Sequence, residues 1–281
     1  MAALERVSFE FFPPKSDEGV TKLAAVRERL AAAGPEFYSV TYGAGGSTRD
    51  RTLDLVLEIQ GEGRDVAPHL SIGSDEPDAV RALVDRYKAA GVRRIVALRG
   101  DVPSGMGGRG SVHYASELVA LLREHAGDHF VIEVAAYPEI HPDADSPESD
   151  IEHFAAKVAA GADEAITQYF YNADAYFDFV DRAADAGVSI PIIPGIMPIT
   201  NFDGLKRFSD ACGAEIPRWI RLRLERYRED PAALSAFGLD VVSQLCDRLV
   251  AGGAPGLHFY TMNQSKPSLE LLRRLGHPLA A

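Results

Sequence analysis

Cysteine, long apolar runs and cationic residues are all scarce in this sequence. The two cysteines, Cys212 and Cys246, fit neither a metal-ligand spacing nor a disulfide framework, so no metal is expected and a reducing cytoplasm is the expected compartment. No run reaches the roughly 18 apolar residues of a membrane span. The first residues, Met1-Ala-Ala-Leu-Glu-Arg6, lack the basic stretch followed by an apolar one that marks a secretion signal. Lysine and arginine number 29 against 41 aspartates and glutamates, a net charge of −12. That field repels nucleic acid and anionic lipid, so neither is an expected partner. A Gly-rich phosphate loop is also missing after the first apolar run, where Phe9-Glu10-Phe11-Phe12-Pro13-Pro14 stands instead. With 46% hydrophobic and 25% charged residues, the composition excludes a disordered chain, a collagen-like repeat and a disulfide scaffold.

Short apolar runs alternate with segments of helical period from end to end. Strands are expected at 6–11, 36–41, 65–70, 93–98, 130–135, 164–168, 189–193 and 256–260. Helices are expected at 17–33, 50–62, 76–90, 113–125, 149–160, 174–187, 202–212 and 231–251, with 213–230 as an extra segment before the last strand. Ser74-Asp75-Glu76-Pro77 and Asp230-Pro231 read as helix starts, and Gly91, Gly161 and Gly187 as helix ends. Eight βα units over 281 residues, without a linker or repeat, point to α/β architecture: a single (βα)8 TIM barrel over 1–281 with an extra helical segment before the last strand.

A barrel gathers its active site at the C-terminal ends of its strands. Here those ends carry Glu10, Thr41-Tyr42, His69, Arg99-Gly100-Asp101, Tyr137-Pro138-Glu139, Gln168 and Tyr260-Thr261-Met262-Asn263-Gln264. Acids, an imidazole, a guanidinium, an amide and hydroxyls in one place suit a small-molecule enzyme site. Glu10 stands between Phe9 and Phe11-Phe12, and apolar neighbours disfavour its charged form, so its pKa is expected to rise towards neutrality and let it donate a proton. Lys157 reads as a helix charge. The glycine-rich loops 43–48 and 105–110 read as a weak phosphate-friendly loop and a candidate mobile loop.

Several motifs, taken together and in order, resemble the methylenetetrahydrofolate reductase family. They are Ser8-Phe-Glu-Phe-Phe-Pro-Pro-Lys15, Ser39-Val-Thr-Tyr-Gly-Ala44, Ala67-Pro-His-Leu70, Ile95-Val-Ala-Leu-Arg-Gly-Asp101, Tyr114-Ala-Ser116, Ala135-Ala-Tyr-Pro-Glu139 with His141, Ala165-Ile-Thr-Gln168, Pro194-Gly195-Ile196, and His258-Phe-Tyr-Thr261 with Asn263. The resemblance implies a flavoprotein that reduces 5,10-methylenetetrahydrofolate to 5-methyltetrahydrofolate, using FAD with NADH or NADPH as co-substrate in a ping-pong sequence. Carried over by motif, Glu10 matches the general acid and Asp101 a carboxylate near the flavin and folate. Thr41, His69, Arg99, Gly100, Tyr114, Ala115, Tyr137, His141, Asp150 and Lys157 match FAD-contacting positions. Gln168 and Phe208 match positions that meet folate or nucleotide. A homo-oligomer, dimer or tetramer, is expected by the same analogy.

The chain departs from the family pattern on the substrate side. Gln264 stands where an Arg is usual, and a neutral amide cannot replace a bidentate guanidinium, although Lys266 is near. Gly204 stands where relatives often carry Gln, and Pro217-Arg-Trp-Ile-Arg-Leu-Arg223 is unusually basic. These departures keep two rivals open: an FAD-independent or reverse-running methyl-folate oxidoreductase of the same fold, and a non-catalytic folate- or flavin-binding subunit.

Overall fold

The computed structural model describes residues 4–42, 49–71, 77–99 and 114–280. Gly100, Asp101 and the glycine-rich loops 43–48 and 105–110 lie outside the described residues, as does the Ser74–Glu76 start signal. In chain order the elements are β1 (Val7–Phe11), α1 (Asp17–Ala31), β2 (Phe37–Val40), α2 (Arg49–Gly61), β3 (Val66–Ser71), α3 (Pro77–Ala89), β4 (Arg94–Leu98), α4 (Ala115–Ala126), β5 (Val131–Ala136), α5 (Pro147–Ala159), β6 (Glu164–Thr167) and α6 (Ala173–Asp185). They continue with β7 (Ile192–Ile193), β8 (Gly195–Ile196), α7 (Phe202–Cys212), α8 (Arg218–Arg226), α9 (Pro231–Ala251), β9 (Leu257–Tyr260) and α10 (Lys266–Arg274).

All strand pairs are parallel, in the order β7-β6-β5-β4-β3-β2-β1-β9-β8. The two end strands are separated only by Pro194, whose carbonyl accepts the His258 amide at 3.0 Å. They are one barrel strand broken in the middle, and through it the sheet closes into an α/β barrel. Proline has no N–H for the ladder, which is why the seventh strand splits there. The expected strand 189–193 therefore starts late, at Ile192, and continues past the proline to Ile196. The extra segment contains α8. The chain also has a helix that the periodicity reading left unassigned, α10, which opens with Pro267 in its first turn and buries Leu269, Leu271 and Leu272.

Strand alternation sorts side chains into two shells. Val7, Phe9 and Phe11 on β1, like Ile95, Val134, Leu257 and Phe259, face outward into the layer under the helices. Arg6, Ser8 and Glu10 take the other face, inside the barrel. A small interior apolar group of Phe37, Ala67, Val96 and Ile166 fills the middle.

Gly195 marks where this packing has no slack. A Cβ there would lie 2.2 Å from the Thr167 carbonyl oxygen and 2.5 Å from the Tyr260 ring. Its amide also bonds Thr167 Oγ1 at 2.9 Å. Gly195→Ala is expected to cost about 3 kcal/mol of stability through overpacking, read as a lower urea midpoint at unchanged slope.

Candidate functional site

The barrel interior reads in layers from the N-terminal to the C-terminal end of the strands. The lowest layer is ionic. Arg6 bonds Glu36 at 2.7 Å and Glu164 at 2.7 and 2.8 Å, and Arg94 bonds Glu133 at 2.9 Å, Glu164 at 3.1 Å, and Glu36. Three carboxylates meet two guanidiniums, one negative charge too many. Glu133 is fully buried, its Oε2 has no hydrogen-bond partner, and burial, aided by the Glu164 and Glu36 charges, pushes its carboxyl up to about 8 against the pull of Arg94. A proton on Glu133 balances the layer at neutral pH.

Above it the Arg94 guanidinium lies over the Phe37 ring at 4.8 Å, and Phe37 stacks on His258 at 6.0 Å. His258 is register partner to Ser8, and its Nδ1 sits 2.7 Å from Ser8 Oγ. At the top, Glu10 Oε2 lies 3.2 Å from His69 Nε2 and 3.7 Å from His258 Nε2. Neither Nε2 makes a hydrogen bond of good geometry, so the carboxylate is within charge range of both imidazoles without being locked to either.

This arrangement corrects the expectation for Glu10. Phe9 and Phe11 are its sequence neighbours but point out of the barrel, and Glu10's spatial neighbours are two imidazoles. Burial pushes the Glu10 carboxyl up, yet the His69 charge, the hydrogen-bonding capacity of His258 and the remaining attraction of both rings outweigh it and hold the carboxyl at about 2. Burial lowers His258, with Glu10 acting in the opposite sense. Glu10 is therefore held as a carboxylate between two imidazoles, and acid function belongs to the Glu10–His69 pair rather than to an isolated carboxyl.

Beside this group opens a cavity of about 370 Å³. It is lined by seven of the expected positions: Arg99, Tyr114, Ala115, Tyr137, His141, Asp150 and Lys157. Ser71 lines it too, and Ser71 is the next same-face residue after His69 on β3, so the acid group and the cavity adjoin. The wall is tightly organised. Arg99 pairs Asp143 at 2.5 Å, the His141 amide donates to Asp150 at 3.1 Å, and the Asp143 amide donates to His141 Nδ1 at 3.0 Å. Tyr137 packs edge-on to His141 at 4.4 Å, and Tyr114 stacks on His153 at 5.1 Å. Lys157 donates to the Ala135 carbonyl at 2.5 Å, and burial lowers its ammonium to about 8. Burial and Arg99 lower His141, leaving a neutral ring whose Nδ1 accepts. Two cations, several donors and the rings of Tyr114, Tyr137, His141 and His153 suit an anionic ligand with flat rings.

The remaining expected residues are more scattered. Thr41 is tied into the sheet, its amide to Phe11 and its carbonyl to Thr52 Oγ1, and does not line the cavity. Gln168 lines a small adjoining pocket with Tyr137, Glu139, Ile140, Tyr169 and residues 212–214, and its Oε1 accepts the Tyr169 amide at 3.0 Å. Phe208 and Gln264 are exposed at the rim and line neither space. Gly204 donates its amide to the α7 cap Asn201 at 2.7 Å. Ser8, His258 and His153 were missed as site residues. Counting by two along a strand from Glu10 and Tyr260 finds the first two, because alternation puts them on the same inner face. Among the described residues no group of three or more His, Cys, Asp or Glu could hold a metal ion, and no helix is long and apolar enough to cross a membrane.

Known proteins resemble this chain over nearly its whole length. A 5,10-methylenetetrahydrofolate reductase of Escherichia coli is 41% identical over 96% of this chain and 90% of its own length. One from Pectobacterium carotovorum is 38% identical over the same shares. A methylenetetrahydrofolate reductase (NADH) of Arabidopsis thaliana is 36% identical over 96% of this chain and 48% of its own. A solved structure from Clostridium thermocellum, titled as an uncharacterized protein that binds two copies of 5-methyl-5,6,7,8-tetrahydrofolic acid, superposes with a TM-score of 0.63 at 17% identity, over 99% of this chain and 95% of that one, which supports the fold. The family model for methylenetetrahydrofolate reductase matches residues 2–276, and with these relatives it shows that the chain belongs to the methylenetetrahydrofolate reductase family.

Proposed function

We propose that this chain is an FAD-dependent reductase that converts 5,10-methylenetetrahydrofolate to 5-methyltetrahydrofolate with NADH or NADPH, acting in the cytoplasm as one catalytic barrel. The observation that carries this reading is the Glu10–His69–His258 group at the mouth of the barrel, adjoining a cavity whose walls carry Arg99, Lys157 and the Tyr114, Tyr137 and His153 rings. The donor set fits the flavin. Arg99 and Lys157 offset a diphosphate inside an acidic protein, the N-terminus of α4 at Ala115 adds its amide dipole, and the Tyr114–His153 stack offers a planar face. When bound, FAD supplies the hydride relay between nicotinamide and folate.

The chain's own contribution is the proton and the geometry. The reduction consumes one proton and one hydride. The proton goes to N10 of the folate, where the N10–carbon bond of the methylene bridge breaks and leaves an N5 iminium. The hydride then adds to that carbon. The Glu10 carboxyl, fed by the His69 imidazole, delivers the proton, and Ser8 fixes the His258 ring behind it. Gln168 faces the substrate from the end of β6, and Asp101 is, by the resemblance, the second carboxylate near flavin and folate. The two substrates use the same face in turn.

Anaerobic titration of FAD-supplemented protein with NADH, followed by methylenetetrahydrofolate, tests this reading. The expected result is bleaching of the flavin absorbance band by NADH and its recovery on adding the folate. A protein that takes up no flavin, or a flavin that neither substrate changes, would defeat the reading and leave the flavin-free or non-catalytic alternatives.

A further inference from the structure

The turn that leaves β9 is built from strained backbone. Met262 and Asn263 have φ of 51° and 55°, and the Gln264 amide closes the turn on the Thr261 carbonyl at 2.9 Å. Two successive residues of positive φ across such a bond are the mark of a type I′ turn, which Gly, Asn and Asp dominate. Asparagine tolerates this region, but the Cβ of a methionine crowds the backbone there. Strain of this kind persists only where the surroundings over-determine it. Before the turn, the Tyr260 hydroxyl donates to the Thr167 carbonyl at 2.7 Å. After it, Arg29 at the end of α1 donates to Ser265 Oγ at 2.8 Å.

The conformation gives the turn a hold on β1. The two strands are parallel partners as far as the Glu10–Tyr260 pair. Beyond it the main chain of β9 turns away, and side chains continue the ladder. The buried Thr261 donates from Oγ1 to the Glu10 carbonyl at 2.6 Å, and the same oxygen accepts the Asn263 amide at 3.1 Å. The Asn263 carboxamide meets both polar groups of Phe12. Its Oδ1 accepts the Phe12 amide at 3.1 Å, and its Nδ2 donates to the Phe12 carbonyl at 2.9 Å. A carboxamide repeats the donor and acceptor of a peptide group, whereas an ionised carboxylate only accepts. On the other edge of β1 the Thr41 amide donates to the Phe11 carbonyl at 2.9 Å. The backbone that carries Glu10 is thus tied on both edges, and the direction of its side chain towards His69 and His258 follows from those ties.

We infer that Asn263, seated by Thr261, is a positioning residue for the proton transfer: it fixes the exit of β1 and so holds the Glu10 carboxylate at its distance from the two imidazoles. This inference rests on the reductase reading and deepens it with a residue that acts through Glu10. The strained turn is the means, because only with Met262 and Asn263 in this conformation does the carboxamide double back onto Phe12.

Four variants separate positioning from bulk stability. Asn263→Gly keeps the left-handed backbone and removes the carboxamide, and Asn263→Asp keeps the acceptor but loses the donor. Thr261→Val removes the hydroxyl at nearly constant shape, and Thr261→Ser restores it. In rapid mixing, flavin reoxidation by methylenetetrahydrofolate should slow about ten-fold in Asn263→Gly and Thr261→Val, since 1 Å of misplacement costs on the order of 10²-fold. It should slow less in Asn263→Asp and recover in Thr261→Ser. The loss should fall on kcat, with KM for the folate and flavin bleaching by NADH within about two-fold of wild type. A second readout needs no turnover. The stability difference between Glu and Gln at position 10, from urea denaturation, should shrink in the Asn263→Gly background, a non-additive cycle. If Asn263→Gly does not fold, the Thr261→Val and Thr261→Ser pair carries the same cycle. Additive stability losses, or a folate half-reaction at the wild-type rate, would reduce the turn to a structural brace and overturn the inference. Equal slowing of both half-reactions overturns it as well, because the effect would not pass through Glu10. Absence of folate turnover in the wild type would instead refute the reductase reading, while the stability cycle by itself decides whether Asn263 positions Glu10.

Discussion

Glu10→Gln is expected to lower folate reduction by about 10³-fold while flavin bleaching by NADH stays within a few-fold of wild type. The amide keeps the shape and the inward direction of the side chain but has no proton to give and no charge to draw one from His69. The loss should appear in kcat of the folate half-reaction, since the interaction removed belongs to the proton transfer and not to the cavity that holds the cofactor. Rapid mixing of NADH-reduced enzyme with methylenetetrahydrofolate separates the two halves. Normal flavin reoxidation by the folate in the variant would remove Glu10 from the acid role. The same variant has a signature in stability. The Glu10 carboxyl is held at about 2, below its ordinary value near 4.5. A depressed carboxyl stabilises the fold above its unfolded value and loses that contribution as pH falls towards the folded one. Wild type therefore carries an acid-induced loss between about pH 4.5 and 2 that Glu10→Gln removes. His69→Asn takes away the largest of the influences that lower the carboxyl, so the acid-induced loss should shrink in that variant.

Arg94→Leu is expected to cost about 3–5 kcal/mol of stability, the usual penalty for breaking a buried ionic network from one side. Arg94 touches Glu36, Glu133 and Glu164, and its removal leaves Arg6 alone against three carboxylates. The pH dependence identifies the cause. Glu133 is raised to about 8 from an ordinary value near 4.5. A carboxyl raised in the folded state keeps its proton there while the unfolded chain has released it, so stability declines as pH climbs from 4.5 towards 8. The penalty of Arg94→Leu should be smaller at pH 5, where Glu133 stays neutral, than at pH 8. Glu133→Gln is neutral at every pH and should flatten the alkaline decline in both backgrounds. Urea denaturation at the two pH values reads both effects, and an identical penalty at pH 5 and pH 8 would show that Glu133 does not titrate in this range.

These two residues also show how far the sequence reaches. Hydrophobic period and glycine and proline punctuation read out the βα alternation and the barrel, strand-end polarity picked out Arg99 and Tyr137, and the family resemblance added Tyr114, Ala115, His141, Asp150 and Lys157, all of which the fold brings to one cavity. Period-two and period-3.6 patterns are local, and a barrel follows from counting them. What lay beyond local reading was electrostatics. Glu10 read as an acid in an aromatic pocket because Phe9 and Phe11 adjoin it in the chain, yet strand alternation turns those rings away and closure of β9 onto β1 brings in His258 from about 250 residues on. The break at Pro194, the charge balance of the lower layer and the hold of Asn263 on Phe12 likewise depend on which distant groups closure sets side by side. By itself the sequence determined which residues face the axis and at which end of the barrel they stand. Only the tertiary structure decided what each meets there, because a buried charge takes its pKa from neighbours in space, and those neighbours come from different strands.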